Sequence, residues 1–123
     1  MQNILIQSLQ LIIALGLLNV WLLRFSKKTE YRGGDASNLI EEFAVYGLPV
    51  WFCYLIGFLK IGSAVMLLLG LWIPELTLPA SLLVIALMLG AVSMHAKVKD
   101  PIKKALPAGA MLLMSVIVFA GHF

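Results

Sequence analysis

Four stretches of this 123-residue chain are almost free of charged side chains and are long enough to cross a bilayer: Met1 to Leu23, the segment 43–74 that only Lys60 interrupts, Leu76 to Ala96, and Ala105 to Phe123. A helix of about 20 apolar residues spans the hydrocarbon core. Lipid provides no hydrogen-bond partners for irregular backbone, and the stretches lack the alternation of barrel strands. We therefore expect an all-α fold, an integral membrane four-helix bundle.

Local signals divide the chain into helices within a single transmembrane domain, 1–123. We expect membrane helices at about 2–24, 49–73, 77–97 and 101–123, the first being retained rather than cleaved as a signal peptide. Asn38 with Glu41 three residues later resembles a capping box, and Gly47 suits a helix end. A short interfacial helix is therefore expected at about 38–46. Asp100 and Pro101 are expected to begin the last helix, and Pro107 to kink it.

Composition excludes several classes of protein. Hydrophobic residues make up 62% of the chain and charged residues 12%, whereas a soluble domain has about 25% charged residues. The single Cys53 excludes an internal disulfide and a multi-thiolate metal site, and no metal is expected. The net charge of +3 comes from residues that flank apolar runs, so nucleic acid is not an expected partner.

Eight of the nine Lys and Arg residues fall on one side of the predicted membrane: Arg24, Lys27, Lys28, Arg32, Lys97, Lys99, Lys103 and Lys104. Positive residues are retained on the cytoplasmic side. We therefore expect both termini outside, in a bacterial cytoplasmic membrane. Trp21 and Trp51 are expected to anchor the charged side and Trp72 the other side. The basic clusters either set the topology alone or also bind anionic lipid headgroups.

Lys60 is the one charge in the middle of a predicted span, where it costs at least about 2.5 to 3.5 kcal/mol. We expect it to face the bundle with its stem directed toward the cytoplasmic end of its helix. The expected neighbours are Asn19, Tyr54, His95 and the Glu41–Glu42 pair. Two interpretations remain open. Either Lys60 is structural, snorkelling or pairing with one carboxylate, or it forms the polar floor of a ligand cavity.

The other polar residues give weaker indications. His95 is expected to be an interfacial histidine rather than a ligand or a base, because no second histidine or carboxylate has metal spacing around it. Glu41 and Glu42 are adjacent and point in different directions on a helix. They are expected to form a solvated face.

Several motifs together resemble the DoxX-like family of small membrane proteins: Lys27 to Gly34, Glu41 to Pro49, Lys60, His95 to Lys97, and Asp100-Pro101. The resemblance implies a four-helix bundle. It also implies relatives that range from quinone-linked oxidoreductase subunits to sterol-isomerase-like and chaperone-like proteins. The isomerase-like relatives place acidic residues inside the bundle, whereas the charge expected inside this bundle is a lysine.

Two functions of different classes follow. The first is a membrane module that binds a lipid or another apolar molecule, or that serves as a membrane subunit of a larger complex. Its expected ligand-binding residues are Lys60, Asn19, Tyr54, Glu42 and His95, and its expected partners are membrane lipids and a protein partner or a second copy of the chain. The second is a quinone- or polyisoprenoid-linked oxidoreductase subunit or an isomerase-like enzyme, with Lys60 or Tyr54 as donor and Glu42 as acid or base. The sequence shows no cofactor motif, and quinone is the cofactor compatible with the second function.

Overall fold

A computed structural model describes residues 4–23, 34, 36 and 38–121. These residues form five α-helices: α1 (Ile4–Leu18), α2 (Leu39–Val45), α3 (Val50–Leu69), α4 (Thr77–Lys97) and α5 (Ile102–Gly121). A π-helical turn, Asn19–Leu23, continues α1, and a 3-10 turn, Pro74–Leu76, precedes α4. Three predicted helix ends lie outside the described residues: those at 2, 24 and 123. So do four of the basic residues: Arg24, Lys27, Lys28 and Arg32.

In the described part of the chain, four helices are long and apolar enough to cross a membrane. α1 packs against α3 and α5, and α4 packs against the same two helices. The chain is therefore an all-α membrane bundle, as the apolar stretches predicted. We call the end formed by Leu23, Val50, Lys97 and Ile102 the α2 end, because α2 packs against α3 there.

The core of the bundle is built from small and branched side chains. Ile13, Ala14, Leu67, Val84 and Val118 are at most slightly exposed and belong to one hydrophobic cluster. Small residues allow the backbones of membrane helices to approach closely, and van der Waals contact then holds them together.

A buried polar cluster joins α1, α3 and α4 at the end opposite α2. The amide Nε2 of Gln10 donates to the backbone carbonyl of Leu67 at 2.6 Å and to Oγ1 of Thr77 at 3.1 Å. The Thr77 hydroxyl donates to the carbonyl of Gly70 at 3.4 Å. Such bonds satisfy polar groups for which lipid provides no partner, whereas the buried Oε1 of Gln10 accepts no hydrogen bond from the described residues.

α2 has the capping interactions that its sequence indicates. Oδ1 of Asn38 accepts a hydrogen bond from the backbone N–H of Glu41 at 2.8 Å. Gly47 follows the helix with a φ of +81°, a conformation that glycine adopts without steric cost. Leu39 and Phe43 are buried against Trp21 and Cys53. α2 therefore lies across the bundle end with one face packed inward.

Candidate functional site

A cavity of about 760 Å³ lies between the helices at the α2 end. Every helix contributes to its lining: Gly16, Leu17, Asn19, Val20 and Trp21 from α1 and its π-helical turn; Leu39, Glu42 and Phe43 from α2, followed by Tyr46 and Leu48; Phe52, Ile56 and Lys60 from α3; Ala86, Leu87, Met88, Gly90, Ala91, Met94 and His95 from α4; and Lys104, Pro107, Ala108 and Met111 from α5. Most of these residues are apolar. The cavity is thus an apolar chamber with a few polar groups directed at it.

Lys60 lies in the middle of α3, about 15 Å along the helix from Val50. Its ammonium is 5.3 Å from the centroid of the Trp21 ring, within the range of a cation–π interaction. The stem of Lys60 therefore runs toward the α2 end, as predicted. The Glu42 carboxylate also interacts electrostatically with this ammonium. The described residues provide the ammonium with a π face and a carboxylate at longer range, but with no hydrogen-bond acceptor.

Trp21 is placed by the π-helical turn and by a glycine on α3. It is 5% exposed, and a Cβ atom on Gly57 would come within 2.6 Å of its ring. The expectation that Trp21 is an interfacial anchor is therefore wrong, because the absent side chain at Gly57 leaves room for the indole inside the bundle. Trp51 and Trp72, by contrast, are 66% and 78% exposed, as anchors should be.

Glu42 also lies inside the structure. It is 8% exposed and lines the cavity, whereas Glu41 is exposed. The solvated face predicted for this pair holds for Glu41 and is wrong for Glu42. The reason is that Glu42 lies on the same face of α2 as Leu39 and Phe43, and this face packs against the bundle.

A hydrogen-bonded cluster surrounds Asp100 at the α2 end. Its carboxylate accepts from the backbone N–H of Gly34 at 3.0 Å and pairs with Nδ1 of His95 at 2.8 Å. Burial opposes its charge, but the bonds from Gly34 and His95, with the positive charge of Lys104, hold the pKa of Asp100 below its ordinary value. Lys104 itself donates to the carbonyl of Gly34. Asp100 thus ties Gly34, which precedes α2, to α4; its role at the start of the last helix stays a prediction.

His95 belongs to the same cluster and also contacts the segment after α2. Its ring meets that of Tyr46 edge-on, with centroids 5.9 Å apart. Nζ of Lys97 donates to the backbone carbonyl of Tyr46 at 2.9 Å. These contacts from α4 hold α2 over the cavity.

Four of the five residues predicted to bind a ligand line this one cavity: Lys60, Asn19, Glu42 and His95. Tyr54 does not, because it is 56% exposed on another face of α3. The prediction missed Trp21, Tyr46 and Lys104 as lining residues. Tyr46 could have been recognised from its place three residues after Phe43 on the apolar face of α2.

The described residues contain no group of three or more His, Cys, Asp or Glu side chains that could hold a metal ion. What the cavity offers, within largely apolar walls, is the Lys60 and Lys104 ammonium groups, the amide of Asn19, the Glu42 carboxylate, the His95 ring and several aromatic rings. Such a combination binds a molecule that has a hydrogen-bond-accepting head and an apolar body.

Comparison with known sequences gives a family. The sequence model of the DoxX-like family matches residues 32–118. The uncharacterized protein YdgD of Bacillus subtilis (strain 168) is 27% identical over 85 residues, which cover 68% of this chain and 75% of that relative. No solved structure matches the chain. Because the family match covers well over half of the sequence, this small membrane protein belongs to the DoxX-like family.

Proposed function

We propose that this protein binds an amphipathic membrane molecule inside the bundle, with an anionic or carbonyl-bearing head at Lys60 and an apolar body against the cavity walls. One observation carries the proposal. The Lys60 ammonium lines a largely apolar cavity in the membrane span, and the described residues give it no hydrogen-bond acceptor.

The energetics of a charge in an apolar chamber support such a ligand. An ammonium that leaves water needs a partner, because its desolvation is costly. An accepting head would take hydrogen bonds from a charged donor, each contributing about 1.5 to 3 kcal/mol. The cavity volume of about 760 Å³ also lies in the range of about 300 to 1,000 Å³ that is typical of small-molecule sites.

A quinone is a second candidate for the same site. Its ring carries carbonyl oxygens that accept hydrogen bonds, and the Lys60 ammonium and the Asn19 amide are donors in one cavity. The flat indole of Trp21 beside Lys60 offers a surface for an aromatic or quinoid ring. Quinone binding would favour the oxidoreductase-subunit function over simple lipid binding.

Analysis of co-purified molecules tests the proposal. The protein and its Lys60→Met variant are extracted in mild detergent, measured by native mass spectrometry, and their organic extracts are analysed for lipids and quinones. Methionine has a similar length and removes a desolvated charge, so the bundle is expected to fold. Tyr54→Phe is the matched control, because Tyr54 lies outside the cavity.

We expect one class of bound molecule in the parent and in Tyr54→Phe, and at least about a tenfold lower content in Lys60→Met, as the loss of one charged hydrogen bond predicts. Equal content in all three proteins would contradict the proposal. A quinone in the extract would select the second candidate.

The proposed orientation places both termini outside and the cavity in the cytoplasmic half of a bacterial membrane. It is supported by the described basic residues Lys97, Lys99, Lys103 and Lys104, all of which lie at or next to the α2 end. Positive residues favour the cytoplasmic side.

A further inference from the structure

We infer that the cavity has a lateral entrance between α3 and α4, at Ala86 and Gly90, through which the ligand enters from the bilayer rather than from water. This inference rests on the proposed function. It specifies the ligand further as a molecule whose long apolar tail remains in the membrane while its head reaches Lys60.

The entrance is marked by residues that line the cavity and are nevertheless exposed. Ala86 and Gly90 have both properties and lie one turn apart on α4, and Pro107 of α5 shares them nearer the α2 end. A Cβ atom added to Gly90 would meet nothing within 4 Å. Ala86 lies about 17 Å from the end of α4 at Lys97, which places the opening in the hydrocarbon region of a core about 30 Å thick.

The opposite side of the entrance is a stripe on α3. Phe52, Ile56 and Lys60 follow one another at intervals of four residues, line the cavity and are only partly buried. Gly57, against which Trp21 packs, lies about 60° around the helix from Lys60 but about 100° from Ile56 and about 140° from Phe52. Since α3 packs against α1 on the side of Gly57 and also packs against α4, we place Phe52 and Ile56 on the side toward α4, while Lys60 between the two sides reaches Trp21.

At the end of the bundle opposite α2, α3 and α4 pack closely and leave no gap between them. Ala64 and Leu67 of α3 and Ala80 and Val84 of α4 are buried in one cluster toward the short connection between the two helices. The helices therefore enclose no cavity near their connection and leave one between them nearer the α2 end.

α2 covers the route from water. Glu42 and Phe43 of α2 are buried against the bundle. Nζ of Lys97 donates to the backbone carbonyl of Tyr46, the residue that follows α2. A ligand entering from the aqueous side would have to displace these contacts, whereas one entering from lipid passes the small residues Ala86 and Gly90. The size of these two side chains should therefore control access.

Contact quenching of Trp21 tests the route. The Trp51→Phe/Trp72→Phe protein keeps Trp21 as its one tryptophan, buried beside the cavity, and is reconstituted into phosphatidylcholine vesicles. A dibrominated stearic acid, added to the vesicles, quenches the indole when it reaches the cavity. Gly90→Phe and Ala86→Phe narrow the entrance, and Gly62→Phe is the control, since a Cβ on Gly62 also meets open space but does not line the cavity.

We expect quenching of the parent and of Gly62→Phe at the same rate, and at least a tenfold slower rate in Gly90→Phe and Ala86→Phe. Circular dichroism checks that each variant is folded. If one of the two entrance variants is unfolded, the quenching rate of the other entrance variant decides. Equal rates in the entrance variants and the control would overturn the lateral entrance while leaving the proposed function intact. No quenching in the parent would overturn both.

Discussion

The ammonium of Lys60 in α3 lies 5.3 Å from the centroid of the Trp21 ring at the end of α1. A cation–π contact in a desolvated site contributes about 2 kcal/mol or more. The contact links the two helices at the depth of the cavity. It also fixes the direction of the lysine side chain, which otherwise could adopt several rotamers.

Gly57→Ala should disturb this contact. A Cβ atom there would lie 2.6 Å from the Trp21 ring, and overpacking of this kind costs about 1 to 3 kcal/mol. We expect a lower midpoint of unfolding in detergent, measured by circular dichroism, and altered Trp21 fluorescence in the protein that lacks Trp51 and Trp72. Gly62→Ala is the matched control on the same helix, since its Cβ meets open space. Equal stability of the two variants would show that the Trp21 ring moves to accommodate the added methyl group without a loss of stability.

Thr77→Val should separate stability from ligand binding. The variant removes the hydroxyl that accepts from Gln10 and donates to Gly70, at a cost of about 1 kcal/mol. Because this cluster lies at the end opposite the cavity, the content of co-purified lipid should equal that of the parent. A loss of lipid as large as that in Lys60→Met would contradict a site confined to the α2 end.

Asp100→Asn should change the pH dependence of stability. The folded-state pKa of Asp100 is lowered, so its charge stabilises the fold above the unfolded pKa of about 3.9. That contribution is lost as the pH falls through the lowered folded value. We expect Asp100→Asn to be about 1 to 3 kcal/mol less stable at pH 7 and the difference to shrink toward pH 3.

Denaturation midpoints of the parent and Asp100→Asn, measured between pH 7 and pH 3, give this comparison. Glu75→Gln, at an exposed position away from the cluster, is the control and should follow the parent. A constant difference in stability between the parent and Asp100→Asn across this range would contradict the prediction. It would show that the side chain of Asp100 stabilises the fold through its geometry rather than through its negative charge.

Thiol labelling tests the orientation. In a Cys53→Ala background, Ala44→Cys and Glu75→Cys place exposed thiols near opposite ends of the bundle. On intact cells, an impermeant reagent should label Glu75→Cys, and should label Ala44→Cys only after the cells are opened, because the basic residues accompany α2. The reverse pattern would place the α2 end outside.

The fold was largely predictable from the sequence. Uninterrupted apolar stretches determine membrane helices because lipid leaves the backbone no other partner. Asn38 and Gly47 likewise mark the ends of α2 by local chemistry, without help from the rest of the chain. Lys60 could be assigned to the interior because a charge facing lipid in mid-span is costly.

The site was only partly predictable, because its details depend on contacts between distant residues. Whether Glu42 is solvated is decided by how α2 packs, and whether Trp21 is interfacial is decided by the space at Gly57. Tyr54 was placed in the site by its nearness to Lys60 in sequence, yet a helix turns the two onto different faces. The π-helical turn at Asn19 has no simple sequence signal, although such turns often occur at functional sites.

Photolabelling shows whether a fatty acid occupies the cavity beside Lys60. A long-chain fatty acid carrying a diazirine in its chain is added to the reconstituted protein, irradiated, and the labelled residues are identified by mass spectrometry, with and without excess unlabelled fatty acid. We expect labels on lining residues such as Met88, Met94 and Met111 that disappear on competition and in Lys60→Met. Labels confined to outward-facing residues such as Phe58 and Leu89, unaffected by competition, would contradict it.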